Sequence, residues 1–214
     1  MSCDNRRTET TEQVKKVGQR DTINANIVAD TIRKGDCHFW LASADSTLPT
    51  GDYVKYVTKR GRVKVVWGSK KFKRTLTKDY DCNGAPSGVP YIQWATSKYI
   101  GLRYGCGLPC WGTLILPLNL TDSVIERMYH FDFDTHNNQV VYLDNENYKQ
   151  LIVENWKTGR KTQVKFKVIC DCAFPGDCIE AIKIRNGVLF VKWKEFIRDK
   201  NEWKKTSETI KVGL

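Results

Sequence analysis

The segment YGCGLPCW, residues 104–111, holds a pair of cysteines separated by a Gly-Leu-Pro turn. Thiol–disulfide catalysis generally uses the spacing C-x-x-C at the start of a helix, where the helix N-terminus lowers the thiolate pKa. Cys106 and Cys110 lie one residue further apart than in that motif, and their flanks have the composition of strands. Gly107 and Pro109 allow a turn tight enough for the sulfurs to meet. We therefore expect a structural disulfide between neighbouring strands, and no redox catalysis.

Zinc binding is the alternative use of these sulfur atoms. Cys106 and Cys110 have a spacing that occurs in zinc sites, and a cluster further along the chain could supply the other ligands: Cys170, Cys172 and Cys178. These cysteines do not form matched pairs, however, and an oxidising compartment would convert them to disulfides. The sequence therefore predicts no metal site and no cofactor.

The other cysteines suggest further disulfides, although spacing alone leaves their connectivity open. Cys172 and Cys178 enclose a Pro-Gly turn and could close a second short loop, while Cys37 and Cys82 are candidates for a long-range bridge. Cys170 ends the strand-like segment KFKVIC and is expected to remain a buried thiol. A chain with 8 cysteines among 214 residues is typical of an oxidising compartment.

The sequence lacks the catalytic motifs that are recognisable from residue spacing. It contains no nucleophile elbow, zinc-protease motif or phosphate-binding loop. The histidines are expected to be packed or solvent-facing: His38, His130 and His136. The segment DFDTHNN alternates carboxylates but lacks the glycine and closing glutamate of an EF-hand, so a polar turn is expected. An enzyme acting on envelope glycan remains an alternative, with a carboxylate acid and base drawn from Asp132, Asp134 and Glu154.

The net charge of +11 is concentrated in one short segment. Between positions 55 and 78 lie 10 of the 35 basic residues and no acidic residue, so 25 basic residues face 24 acidic ones in the rest of the chain. We take this segment as the candidate surface for an anion or a partner. Its predicted binding residues are Lys55, Lys59, Arg60, Arg62, Lys64, Trp67, Lys70, Lys71, Lys73 and Arg74.

Strand periodicity would bring these charges together. Residues two apart in a strand share a face, which groups Arg62 with Lys64 and Lys71 with Lys73. Such a surface could neutralise phosphates or carboxylates, while interleaved aromatic rings contact sugars or bases; these rings are Tyr53, Tyr56, Trp67 and Phe72. The alternative is a solvated hairpin whose charges prevent aggregation of an exposed sheet edge.

Short strand-like segments separated by turn residues run through the body of the chain and predict an all-β fold of antiparallel meanders. Residues 53–57 and 62–67 predict a hairpin, with a further strand over 72–76. From residue 91 an apolar strand (YIQW, MYHF, IEAIKI) is followed by a second strand (SKYIGL, NQVVYL, NGVLFV), and in two cases by a third (GTLIL, QLIVEN). This pattern resembles the repeat of β-propeller-like proteins; a sandwich or barrel of similar meanders is also compatible.

The first residues have a different character. Residues 1–38 contain no Phe, Trp, Tyr or Leu, which predicts a polar tether over 1–35 and a single β domain over 36–214. Cys3, after Met1-Ser2 and before this polar stretch, resembles the start of a mature bacterial lipoprotein. The resemblance implies that Cys3 carries lipid. No run of about 18 apolar residues is present, so a lipid anchor would be the only contact with a membrane.

Together these features predict a non-catalytic lipoprotein domain of the cell envelope. It would bind an anionic envelope polymer or a protein partner through the basic hairpin. A nucleic-acid-binding module is supported only by the charge of that hairpin, and the predicted compartment disfavours it.

Overall fold

The computed structural model describes residues 46–59, 62–81, 89–107, 109–170 and 172–213. These residues form antiparallel β-sheets and two short 3₁₀ helices, without an α-helix in the described ranges. The all-β prediction is confirmed: the described residues form four open sheets, none of which closes into a barrel. The described chain divides into two compact units, residues 46–130 and 131–213.

The first sheet carries the basic segment and uses its strands in chain order. The strands are β1 (Ser46–Thr47), β2 (Tyr53–Lys59), β3 (Arg62–Gly68), β4 (Lys73–Thr75) and β5 (Tyr80–Asp81). They are ordered β1-β2-β3-β4, and β5 pairs with β3 beyond the end of β4. The predicted hairpin is thus present as β2 and β3, with Lys59 opposite Arg62.

The second sheet completes the same unit and is also a meander. Its strands are β6 (Tyr91–Ala95), β7 (Tyr99–Gly107), β8 (Cys110–Pro117) and β9 (Ile125–Met128), in that spatial order. The inner faces of the two sheets share one apolar core, in which Val63, Val65 and Trp67 of β3 pack with residues of β7 and β8. The indole Nε1–H of Trp67 donates to the carbonyl oxygen of Pro117 at 2.9 Å and ties the sheets together.

The second unit contains two further meanders. One sheet is ordered β10 (His130–Asp134), β11 (Gln139–Leu143), β12 (Gln150–Asn155) and β13 (Lys161–Lys165). A 3₁₀ helix, η1 (Pro175–Cys178), leads to the other sheet, ordered β14 (Ile179–Arg185), β15 (Val188–Ile197) and β16 (Glu202–Lys211), with η2 (Arg198–Lys200) between the last two strands.

The recurring strand pattern matches the meanders, with one correction. The segment MYHF was expected to be one strand, but β9 ends at Met128 and β10 begins at His130, and these strands belong to different sheets. Tyr129 between them has φ 51°, a left-handed conformation that interrupts an extended strand.

Several predictions fall outside the described residues. The polar tether over 1–35, Cys3, Cys37, Cys82 and Arg60 are among them. The prediction of a single domain over 36–214 stays a prediction. Within the described ranges, no helix has the length and apolar composition needed to cross a bilayer.

Candidate anion-binding face

Alternation along β2 and β3 gives the first sheet one apolar and one basic face. Val54 is fully buried and Tyr56 packs on the core, whereas Tyr53, Lys55 and Val57 point the other way. Strand register places Lys55 beside Val66 and Thr75, and Tyr53 beside Gly68 and Lys73. We call this outer surface the basic face; its described side chains are Thr47, Tyr53, Lys55, Val57, Arg62, Lys64, Val66, Lys73 and Thr75.

A shallow cleft of about 410 Å³ lies on the basic face. Its lining residues are Thr47, Gly51, Tyr53, Lys55, Val57, Val66 and Lys73. The Lys55 ammonium nitrogen lies 5.5 Å from the centroid of the Tyr53 ring, within the range of a cation–π contact. Val66 is only 5% exposed and supplies apolar surface between the two lysines. The cleft therefore combines ammonium groups, an aromatic ring, a hydroxyl and an apolar patch.

The remaining cations of the basic face follow the same strands. Arg62 and Lys64 are exposed, as their predicted shared face requires. Lys64 forms an ion pair with Asp79, with a nitrogen–oxygen distance of 3.6 Å, and its side chain is still 52% exposed. The backbone of Lys59 lies opposite Arg62 at the end of the hairpin. Arg62 and Lys64 extend the positive surface beyond the cleft.

Two predicted binding residues have structural roles instead. Trp67 is 1% exposed and faces the core, because it is in phase with Val63 and Val65 and not with Lys64. Arg74 lies over the Trp67 ring and donates to the carbonyl oxygens of Asn119 and Asp122. Its guanidinium is therefore already engaged by the protein.

The other residues predicted to contact a ligand lie either against the core or in a turn. Tyr56 and Phe72 pack against the core, which leaves Tyr53 as the aromatic residue of the cleft. Lys71 was expected to share a strand face with Lys73, but β4 begins at Lys73. Lys70 and Lys71 lie in the preceding exposed turn, where the Lys71 N–H donates to the Ser69 hydroxyl.

Four residues of the cleft are absent from the sequence-based prediction: Thr47, Gly51, Val57 and Val66. None of the four is charged or aromatic, and the prediction rested on charged and aromatic residues. The available signal was strand alternation, because Val57 and Val66 stand two residues from Lys55 and Lys64 respectively.

The last lysine of the basic segment, Lys78, connects the two sheets of the first unit and does not belong to the basic face. Lys78 pairs with Glu126 at 2.7 Å, and its ammonium lies over the rings of Tyr80 and Tyr104. The Tyr104 hydroxyl donates to the same Glu126 carboxylate. Burial is the main cause that raises the pKa of both tyrosines well above the usual tyrosine range; the hydrogen bond to Glu126 adds to it for Tyr104, and the negative charge of Glu126 adds to it for both.

The cysteines give one expected and one different pairing. Cys106 and Cys110 lie at disulfide distance, with Cα atoms 5.0 Å apart, across the β7–β8 turn. Gly107 supplies φ 117° in that turn, a conformation that favours glycine. The second bond joins Cys178 to Cys170, 5.8 Å apart at Cα, and not to Cys172.

The physical reason for the second pairing is the course of the chain after β13. Cys170 returns beside η1, where its sulfur lies 3.5 Å from the Pro175 carbonyl oxygen, and so reaches the buried Cys178. The expectation that Cys170 is a buried thiol and that Cys172 bonds to Cys178 is therefore wrong.

The carboxylates of the hydrolase alternative are held by structural partners. Asp132 accepts from the Ile184 N–H at 3.0 Å and pairs with Arg185 at 3.1 Å. Asp134 accepts from the Asn137 side-chain amide at 2.9 Å, in the polar turn that the sequence predicts. Buried Glu154 accepts from the Tyr142 hydroxyl at 2.8 Å. Each carboxylate stabilises a strand or turn of its own unit.

His130 is buried in the first unit, 2% exposed. Burial first, and then the positive charge of Arg103, lower the pKa of His130 to about 3. The imidazole is neutral at physiological pH, as a packed histidine requires. His136 is exposed in the turn that follows β10.

Comparison with known proteins gives one distant structural similarity. No family model matches the chain, and no curated protein matches it. The chain is similar to a solved structure of the uncharacterised protein lmo1340 from Listeria monocytogenes EGD-e, with 12% sequence identity and a TM-score of 0.34. The match covers 81% of this chain and 53% of the other, so the chain spans about half the length of that protein.

Proposed function

We propose that this protein is a non-catalytic lipoprotein domain of the cell envelope that binds an anionic polymer through the basic face. The observation that carries the proposal is the cleft, where Lys55 and Lys73 flank Tyr53 on the outer face of the first sheet. A hairpin charged only for solubility needs no such cleft. A sugar ring against Tyr53, with its phosphate or carboxylate between the two ammonium groups, would use the aromatic ring and both lysines of the cleft.

The spacing of the cations favours a linear ligand over a compact one. The four cations are spaced at intervals of two residues along β3. Lys73 pairs with Gly68 and Lys55 pairs with Val66, while Lys64 and Arg62 are themselves residues of β3. Levels two residues apart in a strand are separated by about 7 Å, so the four charges extend over about 20 Å. A polyanion with charges repeated along its length could contact all four together, whereas a single small anion could not.

Anchoring and compartment belong to the same proposal. The disulfides agree with an oxidising envelope compartment. A lipid on Cys3, followed by the polar residues 4–35, would hold the domain at a membrane surface. In protein taken from its native cells, the N-terminal peptide should then carry the mass of acyl chains; an unmodified Cys3 thiol would reject the anchor.

Propeller-like repetition is the structural part of the proposal. The four sheets follow one another along the chain, and each is a meander of strands that are neighbours in sequence. Radial repetition of such meanders is the architecture of β-propellers. An experimental structure that shows the sheets arranged about a common axis would support this part, and stacked parallel layers would reject it.

The test of binding reverses the charge of the basic face. The triple variant K55E/K64E/K73E changes three exposed residues of that face. The matched control K157E/K161E/K165E makes the same change in net charge on exposed residues of the second unit. Both variants are applied to heparin and to lipopolysaccharide columns, and their thermal unfolding is compared with that of the original chain.

We expect the face variant to lose retention while the control keeps it. The slope of log affinity against log salt should fall by about 3 in the face variant, because each polyanion contact releases about one counterion. Equal loss in both variants would mean that only net charge matters and would reject the face as a site. Duplex DNA serves as a third ligand: tighter binding to DNA than to either envelope-type polymer would favour the nucleic-acid alternative.

A further inference from the structure

Three sulfur atoms meet beside η1 in the second unit. The Sγ atoms of Cys170, Cys172 and Cys178 all lie within 4.8 Å of one another. Cys178 is 1% exposed, and the other two are partly exposed. Cys172 therefore places a third sulfur beside the disulfide between Cys170 and Cys178.

The loop that carries two of these sulfurs is held in place. The Asp177 N–H donates to the Phe174 carbonyl oxygen at 3.0 Å. The Phe174 ring packs directly on Gly176, where a Cβ atom would lie 2.1 Å from the ring. These contacts order the turn that lies between Cys172 and Cys178.

One metal ion could be held by the three sulfurs only after the disulfide-bonded pair has separated. Sulfur ligands around Zn²⁺ lie about 2.3 Å from the ion, which separates the sulfurs from one another by about 3.8 Å. Once the disulfide is reduced, the Cys170 and Cys178 sulfurs are no longer bonded and can separate toward this spacing, and the Cys172 sulfur already lies within 4.8 Å of both. Thiolates are the ligands that thiophilic cations such as Zn²⁺ and Cu⁺ prefer.

We propose that Cys170, Cys172 and Cys178 form a three-thiolate site for a thiophilic metal ion, Zn²⁺ or Cu⁺, when the disulfide is reduced. A dithiol reductant transfers two electrons to the Cys170–Cys178 bond, becomes a disulfide itself, and leaves two thiols on the protein. The ion then replaces the protons of the three cysteines and releases them to solvent. Oxidation by a disulfide reverses the sequence and expels the ion.

The test compares two cysteine variants of the whole chain. Cys172→Ser removes one sulfur of the cluster but leaves Cys170 and Cys178 able to form their disulfide, which keeps the oxidised fold. The double variant Cys106→Ser/Cys110→Ser is the control, because it removes the other disulfide and retains all three sulfurs of the cluster. Each protein is reduced with a phosphine without oxygen and titrated with Zn²⁺ or Cu⁺ against a chromophoric chelator.

We expect one tight ion per chain in the original protein and in the double variant, with affinity at least about 100-fold weaker at that site in Cys172→Ser. In the titration with Cu⁺, absorption from the thiolate-to-copper charge-transfer transition should also be weaker in Cys172→Ser than in the original protein. Equal affinity in Cys172→Ser and the original chain would overturn the proposal, as would loss of the ion only in the double variant. A third variant, Cys178→Ser, must reproduce the loss in the reduced state, and retained tight binding there would overturn the site equally.

Discussion

Arg74 lies over the indole ring of Trp67, with its guanidinium carbon 5.1 Å from the ring centroid. The same guanidinium donates to the carbonyl oxygens of Asn119 at 2.9 Å and Asp122 at 2.7 Å. These carbonyls belong to the segment that follows β8, so Arg74 connects the first sheet to the second. A residue that looks like part of an anion site by sequence is therefore a link between the two sheets of its unit.

The first prediction follows from that link. Arg74→Ala should lower the free energy of unfolding by about 2–3 kcal/mol, because two hydrogen bonds from a charged donor and a cation–π contact are lost. Urea unfolding at fixed pH measures the change. Lys71→Ala, in an exposed turn, is the control and should stay within about 0.5 kcal/mol. Equal stability of the two variants would show that the Arg74 contacts contribute nothing.

Tyr53 gives the second prediction, which concerns the cleft. Tyr53→Ala should weaken binding of a carboxylated or phosphorylated oligosaccharide by about fivefold or more, because an aromatic contact contributes about 1 kcal/mol or more. Tyr91→Ala is the control, since Tyr91 is 47% exposed on a different sheet. Titration calorimetry with the same oligosaccharide compares the two. Equal weakening would assign the effect to general surface chemistry and not to the cleft.

Gly101 gives the third prediction, about packing in the second sheet. A Cβ atom at this position would lie 2.1 Å from Cε2 of the Trp94 indole, which crosses the strand there. Gly101→Ala should destabilise the unit by about 1–3 kcal/mol, because a rigid indole must move. Gly213→Ala adds the same methyl group where nothing lies within 4 Å. The change in Tm of the two variants is compared, and an unchanged Tm in Gly101→Ala would contradict the packing.

The meanders could be predicted from the sequence because each strand pairs with its neighbour along the chain. Alternation of apolar and polar residues then specifies both the strands and their faces, as in β2, where Val54 faces inward and Lys55 outward. The same rule is weaker in β3, where Val65, Val66 and Trp67 are consecutive apolar residues and all are buried. The outward position of Val66 and the inward position of Trp67 become clear only when the phase set by Val63 is carried forward.

The cysteine pairing could not be predicted for a different reason. Cys170 and Cys172 are separated by a single residue, and either could reach Cys178 over a short loop. Which of the two cysteines bonds to Cys178 depends on the path of the chain after β13 and on the position of η1. The spacing of the cysteines in the sequence specifies neither. Three sulfurs within 4.8 Å show how small the difference between the two pairings is.

The Cys106–Cys110 disulfide gives the fourth prediction. Cys110→Ala should lower the free energy of unfolding by about 2 kcal/mol, because the closed loop is short and restricts the unfolded chain only moderately. The sequence separation is 4 residues, which places the effect at the low end of the usual range. Reduction of the original chain should destabilise it further than it destabilises Cys110→Ala. A variant as stable as the original would reject a stabilising role.

His130 gives the last prediction, a dependence of stability on pH. The pKa of His130 is lowered to about 3 in the folded chain, whereas an unfolded histidine has a pKa of about 6.5. Between these values the unfolded chain binds a proton that the folded chain excludes. This contribution to stability is therefore complete above about pH 6.5 and is lost as the pH falls toward 3, by about 1.4 kcal/mol per pH unit.

Substitution separates this contribution from that of the carboxylates, which also titrate in acid. His130→Gln removes the titrating imidazole. The slope of unfolding free energy against pH between 4 and 6 should therefore become shallower by about 1.4 kcal/mol per pH unit, the value that corresponds to one proton. His136→Gln removes an exposed histidine and is the matched control. Urea unfolding at several pH values measures both slopes. If His130→Gln keeps the original slope, His130 accepts its proton in the folded chain as readily as in the unfolded one, and the imidazole is not held neutral by its burial beside Arg103.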